Sequence, residues 1–208
     1  MVGRFIVFEG VEGCGKTTQM QLCHQWLSGL GVSVLVTREP GGTELGAHLR
    51  RLLLSKSENQ PINQLTELLL YAADRAQHVE QELKPHLAQG KCILCDRYIY
   101  STIAYQGYGR GLDLGLINQL NYIATSGLNS DLTIWLDVDV EEGLTRKRGN
   151  LDVFDRIEQE NLAFHRRVQQ GYQELAATDS ARIVRVDGSF SQDVVHKTIR
   201  EMISDRFF

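Results

Sequence analysis

Eight residues near the start of the chain, GVEGCGKT at 10–17, constrain its fold more than any other segment. They fit the pattern G-x-x-x-x-G-K-[ST] at Gly10, Gly15, Lys16 and Thr17. The apolar run RFIVFE precedes them and an amphipathic stretch follows them. The glycines let the backbone curl tightly enough for successive N–H groups to surround an anion. The start of the following helix adds its positive end. The lysine is expected to reach the β- and γ-phosphates of a nucleotide, and the threonine hydroxyl to ligate magnesium. The expected ATP-binding set is therefore Gly10, Val11, Glu12, Gly13, Cys14, Gly15, Lys16, Thr17 and Thr18.

A strand, loop and helix in that order needs a parallel sheet to sit in, and the rest of the chain supplies one. Short, nearly all-apolar runs at 5–8, 33–36, 92–95, 133–136 and 183–186 read as strands covered on both faces. Between them, helical patterns run over 16–28, 44–53, 65–84, 115–125, 141–148, 158–177 and 192–205. The expected fold class is α/β: three layers, with a mostly parallel five-stranded sheet flanked by helices and a short lid. Residues 1–208 are expected to form one domain, with 146–156 as its mobile segment, because RKRGNLDVFDR is charge-dense and irregular. Gly29 and Gly31 mark a helix stop, Asp139 with Glu142 a helix start, and Pro85 the end or kink of the long helix. In Cys92 and Cys95 the C-x-x-C spacing falls on a strand, so the two thiols point to opposite faces and do not share a metal or a disulfide.

The net charge of −4 argues against a nucleic-acid polymer as partner. No apolar run approaches a membrane span, and a cytoplasmic protein is expected. The guanine-binding N-K-x-D motif and the D-x-x-G switch motif are both missing, which leaves a small-metabolite kinase with two pockets as the expected class. Arg38 in TREPGGT and Asp96-Arg97 in ILCDRY follow apolar strands, at the carboxyl edge where open sheets bind ligands. Asp96 is placed to orient hydrated magnesium and Arg97 to bridge phosphates. The residues leave open another nucleoside monophosphate kinase, or a nucleotide switch or assembly ATPase without an acceptor.

In order along essentially the whole chain, FEGVEGCGKTT, TREPGGT, LLLYAADRAQH, DRYIYSTIAYQG and DRIEQE resemble thymidylate kinases of the bacterial type. The resemblance implies transfer of the ATP γ-phosphoryl group to thymidine 5′-monophosphate, usually by a homodimer. It implies that Tyr71 stacks on thymine, that Arg75 approaches a base carbonyl, and that Ser101, Thr102, Tyr105 and Gln106 line the acceptor pocket. It places Glu12 near the acceptor sugar and phosphate. Arg97, Lys16, Arg146 and Arg148 are implied as catalytic, with Arg156 next in the lid. The eukaryotic type carries an arginine where this chain has Gly13, so here the lid must supply the missing charge. Arg110, in GYGRG at 107–111, is expected in a glycine-rich turn and in a structural role.

Overall fold

The short apolar runs pair into one sheet whose carboxyl edge carries most of the motif residues. The computed structural model describes residues 2–55, 61–148 (Arg148 by its backbone alone) and 155–207. Strands β1 (Arg4–Glu9), β2 (Val34–Arg38), β3 (Cys92–Asp96), β4 (Leu132–Asp137) and β5 (Ile183–Asp187) lie in the order β2-β3-β1-β4-β5. The sheet was expected to be mostly parallel; all four pairings are parallel. The register sets Phe8 beside Asp96 and Ile134, and Arg38 beside Asp96, so the strand ends that matter are level with one another.

Side-chain alternation along the strands builds a core on each face. Ile6, Phe8, Cys92 and Leu94 belong to a large cluster with Met20, Cys23 and Leu27 of α1 (Lys16–Gly29) and with Val195, Ile199 and Ile203 of α9 (Gln192–Phe207). Phe5, Val7, Ile93 and Cys95 join Val79, Leu83 and Tyr98 in a second cluster. Cys92 and Cys95 thus lie in different cores, and all four cysteines are free and buried. No helix among the described residues is long and apolar enough to cross a membrane.

The other helices are α2 (Glu44–Leu54), α3 (Gln64–His78), α4 (Lys84–Ala88), α5 (Ile99–Thr102), α6 (Leu114–Thr125), α7 (Val140–Arg148) and α8 (Leu162–Thr178). Two sequence expectations are corrected and one is narrowed. Of the end or kink expected at Pro85, the end does not occur: α3 passes through a π-helical stretch, Val79–Leu83, into α4, with the proline in that helix's first turn. The Lys84 N–H reaches back five residues to the Val79 carbonyl, so the widened turn meets the ring where its missing donor is least costly. The glycines of 107–111 do not form a turn throughout; Ile103–Gly109 is a second π-helical stretch, and the chain turns only at its end. Glu158 lies before α8 rather than in it, because Asn161 caps that helix by accepting the Phe164 N–H at 2.9 Å. Asp139 caps α7 as expected, accepting the N–H groups of Glu141 and Glu142, but Glu142 turns outward to Arg146.

Candidate active site

The phosphate loop leaves β1 and enters α1 through Gly15, at φ 97°, with no side-chain cap and no acidic residue in the first helical turn. The helix therefore begins with unclaimed N–H groups and an unopposed positive end, the arrangement an anion needs. Lys16 is buried, and its Nζ donates to the carbonyls of Gly10 and Val11, each at 3.1 Å, with the Cys14 Sγ at 3.6 Å. Thr17 and Thr18 are exposed on the helix's first turn.

These residues form one end of a cleft of about 610 Å³. Of the residues expected at the site, the cleft is lined by Glu12, Gly13, Cys14, Gly15, Lys16, Thr17, Thr18, Arg38, Tyr71, Arg75, Asp96, Arg97, Ser101, Thr102, Tyr105, Gln106 and Arg146. Gly10 and Val11 do not line it. The Val11 side chain is buried in the core, and its carbonyl accepts from Lys16. The Arg148 side chain lies outside the described residues, as do 149–154 of the expected lid. Arg156 is not among the lining residues: its Nε donates to the Leu53 carbonyl at 2.9 Å and its Nη2 to Glu67 at 2.6 Å.

Arg97 is the junction of the cleft. Its guanidinium pairs with Glu12 and donates to the hydroxyls of Ser101 at 3.1 Å, Tyr105 at 3.1 Å and Tyr172 at 3.4 Å. Burial works against its charge, but the oxygens of Tyr105 and Glu12 outweigh that and hold its pKa well above the usual arginine value. Burial likewise raises the Glu12 carboxyl, while Arg97 and Lys16 more than compensate and hold it down at about 2. Arg97 sits at φ 72°, a left-handed conformation costing a non-glycine residue about 1–3 kcal/mol. Glu9, at the end of β1, is the brace. Its Oε1 accepts the N–H groups of Tyr98 and Ser101 at 2.9 and 3.1 Å, and its Oε2 the hydroxyls of Ser101 and Tyr172 at 2.5 and 2.7 Å.

Asp96 ends β3 with its Oδ1 buried and without a hydrogen-bond partner, facing the same cleft as Thr17. An unspent carboxylate oxygen in a cleft that a threonine also lines fits an oxygen-ligated cation such as magnesium.

On the opposite wall, Tyr71 and Arg75 lie one turn apart on α3. Arg75 is almost fully committed. Its Nε pairs with Glu39 at 2.8 Å, its Nη1 donates to Thr102 at 2.9 Å and Asn121 at 2.6 Å, and its Nη2 to the Tyr98 carbonyl at 2.9 Å. Gln106 donates to Glu67 at 2.7 Å. Glu67 also takes Arg110, which pairs with Glu160 and lies over the Phe164 ring, so Arg110 holds structure together. Sequence reasoning missed Glu9, Glu39, Arg50 and Phe190, the last three of which line the cleft. An acidic residue closing an otherwise apolar strand was the available signal for Glu9; for Phe190, in an exposed loop, there was none.

Gly13 lies against α7. A Cβ there, at φ 73°, would come within 1.9 Å of the Gly143 carbonyl oxygen, and one at Gly143 within 2.5 Å of the Glu12 carbonyl oxygen. Loop and helix touch backbone to backbone, leaving no room for the arginine of the eukaryotic type.

Next to Arg75 on α3, Asp74 is buried with its Oδ1 accepting the Gly41 N–H at 3.0 Å and its Oδ2 unpartnered. Burial first, then the Glu39 charge, raises its pKa from 3.8 to about 6. The folded chain thus keeps this proton after the unfolded chain has lost it. Its stabilising contribution is complete below about pH 4 and is lost as pH rises through about 6. Against wild type, Asp74→Asn should gain relative stability between pH 4 and 7, by about 2–3 kcal/mol at most. Urea unfolding across that range checks it, and a pH-independent difference would refute the assignment.

The thymidylate kinase family model matches residues 8–199. Thymidylate kinase of Nostoc punctiforme is 74% identical over 203 residues, covering 98% of this chain and 96% of that protein. That of Trichodesmium erythraeum is 57% identical over 222 residues, covering 99% and 97%. The crystal structure of thymidylate kinase from Ehrlichia chaffeensis superimposes with a TM-score of 0.80 at 36% identity, covering 98% of this chain and all of that one.

Proposed function

The chain belongs to the thymidylate kinase family, and from that premise we propose how its cleft moves the γ-phosphoryl group of ATP to thymidine 5′-monophosphate. One observation carries the assignment of roles: Arg97 joins the phosphate loop, through Glu12, to the hydroxyls of the acceptor wall. A cation at that junction can hold the acceptor phosphate in line with the donor and oppose charge as it develops.

The phosphate loop holds the β- and γ-phosphates through its N–H groups, with Lys16 turning from its own carbonyls to the nucleotide. Thr17 and Asp96 would hold magnesium, which supplies neutralisation of the β- and γ-oxygens. Tyr71 stacks on the base, while Thr102 and Gln106 face its edge and Arg75 offers it a donor. Ser101 and Tyr105 keep Arg97 in place, and Arg38 and Arg50 attract the incoming anion at the cleft mouth. Phe190 and Arg146 flank the donor end, the latter anchored on the Gly188 carbonyl at 3.1 Å. Arg148 follows on α7 as a further source of charge. The acceptor phosphate is already ionised near neutral pH, so no general base is required.

Residues 1–208 are read as one domain with 146–156 as its lid, and the four free cysteines suit the reducing cytoplasm. Leu65 and Leu69 of α3 and Tyr122 and Ile123 of α6 are exposed on neighbouring helices, a surface suited to a homodimer. Coupled ADP release with a panel of nucleoside monophosphates tests the substrate. A clear preference for the thymidine compound is expected; equal rates with guanylate or adenylate, or ATP turnover unchanged by any acceptor, would sink it.

A further inference from the structure

Resting on this reading of the base pocket, we infer that Glu39, His78 and Thr37 form a buried positioning chain that sets Arg75 and so governs the choice of base without touching it. Glu39 and Arg75 are each almost wholly excluded from solvent. The Glu39 Oε2 accepts the Arg75 Nε at 2.8 Å, and its Oε1 meets the Nδ1 of fully buried His78 at 2.9 Å. The other ring nitrogen of His78 meets the Thr37 hydroxyl at 2.7 Å. Both ring nitrogens are thus engaged, so the imidazole cannot turn without giving up a partner. Gly42 locks it from above: a Cβ there would lie 2.5 Å from the His78 Cδ2.

The count of donors gives this chain its consequence. A guanidinium has five N–H groups. Four are spent on Glu39, Thr102, Asn121 and the Tyr98 carbonyl, which leaves one on Nη2. Arg75 lines the cleft beside Tyr71, so that last N–H is what the arginine can offer a base. Thymine presents a carbonyl acceptor at the ring position where cytosine presents an amino donor. A fixed lone donor favours the first and opposes the second, as sites built round hydrogen bonds do. If Glu39 lets go of Nε, the guanidinium gains freedom and a second N–H, and the discrimination weakens.

The test compares kcat and KM for thymidine and deoxycytidine 5′-monophosphates in wild type, Glu39→Gln, Thr37→Val and Gly42→Ala. Glu39→Gln should narrow the kcat/KM ratio between the two acceptors about tenfold, chiefly through KM for the thymidine compound, with KM for ATP unchanged. Thr37→Val and Gly42→Ala disturb His78 without removing charge and should narrow it in the same direction by less. A variant that loses stability or kcat for both acceptors equally, with the ratio preserved, overturns the positioning role. If Glu39→Gln does not fold, the ratio in the other two decides by the same criterion. A wild type that does not prefer the thymidine compound overturns the substrate reading itself; a wild type that does, with all three variants keeping its ratio, overturns this inference alone.

Discussion

Arg97→Ala should lower kcat/KM with thymidine 5′-monophosphate by about a thousandfold or more, while ATP affinity changes little. The magnitude is that of a cation acting on a transferring phosphoryl group. The asymmetry follows from position: Lys16 and the loop N–H groups remain to hold ATP, whereas the junction to the acceptor wall is gone. Arg97→Lys should recover only part of the loss, because one ammonium cannot serve Glu12 and three hydroxyls from a single planar fork. The two truncations Arg97→Ala and Arg97→Gly separate chemistry from strain. Both should be equally inactive, yet the glycine variant should be more stable by about 1 kcal/mol, because the backbone there is left-handed. Steady-state kinetics with nucleotide titrations and urea unfolding measure both. Retained turnover in Arg97→Ala would remove this residue from the reaction.

Gly13→Ala should destabilise the protein by about 3 kcal/mol or more and reduce turnover at least a hundredfold. Two costs combine. An alanine at φ 73° is strained in any surroundings, and its Cβ meets the Gly143 carbonyl at 1.9 Å, so either the loop or α7 must move. A displaced loop no longer aims its N–H groups at one point. Gly143→Ala is the informative companion. Its helical backbone carries no positive φ, so only the 2.5 Å approach to the Glu12 carbonyl acts, and a smaller loss is expected. Stability within about 1 kcal/mol of wild type for Gly13→Ala would mean that the contact yields easily.

The parts of this molecule legible in its sequence are those written in local pattern. GVEGCGKT, the apolar strands and the strand-end placement of Arg38 and Asp96-Arg97 all depend on neighbours a few residues away, and the strand limits agree to within two residues. Periodicity does not report the π-helical stretches, because one extra residue per turn leaves no compositional trace. Nor does it report buried charge networks. Glu39 meets Arg75 across 36 residues of sequence and Glu67 meets Arg156 across 89, and nothing near any of them marks the partner. Arg156, which ends the charged run read as a lid, pairs with a carboxylate on α3 that nothing near it in sequence announces.

Strand β1 stands at the middle of the sheet, with β3 and β2 on one side and β4 and β5 on the other. The proposed acceptor contacts at Arg38 and Arg97 come from the first side, as does Asp96, the proposed magnesium ligand, and Gly188 and Phe190 at the donor end follow the second. Descendants of this chain can thus change their taste in acceptor by altering the first flank around Arg38, provided Asp96 is kept for the metal that ATP brings. A compound that spans both flanks would draw its contacts from two surfaces that share no strand.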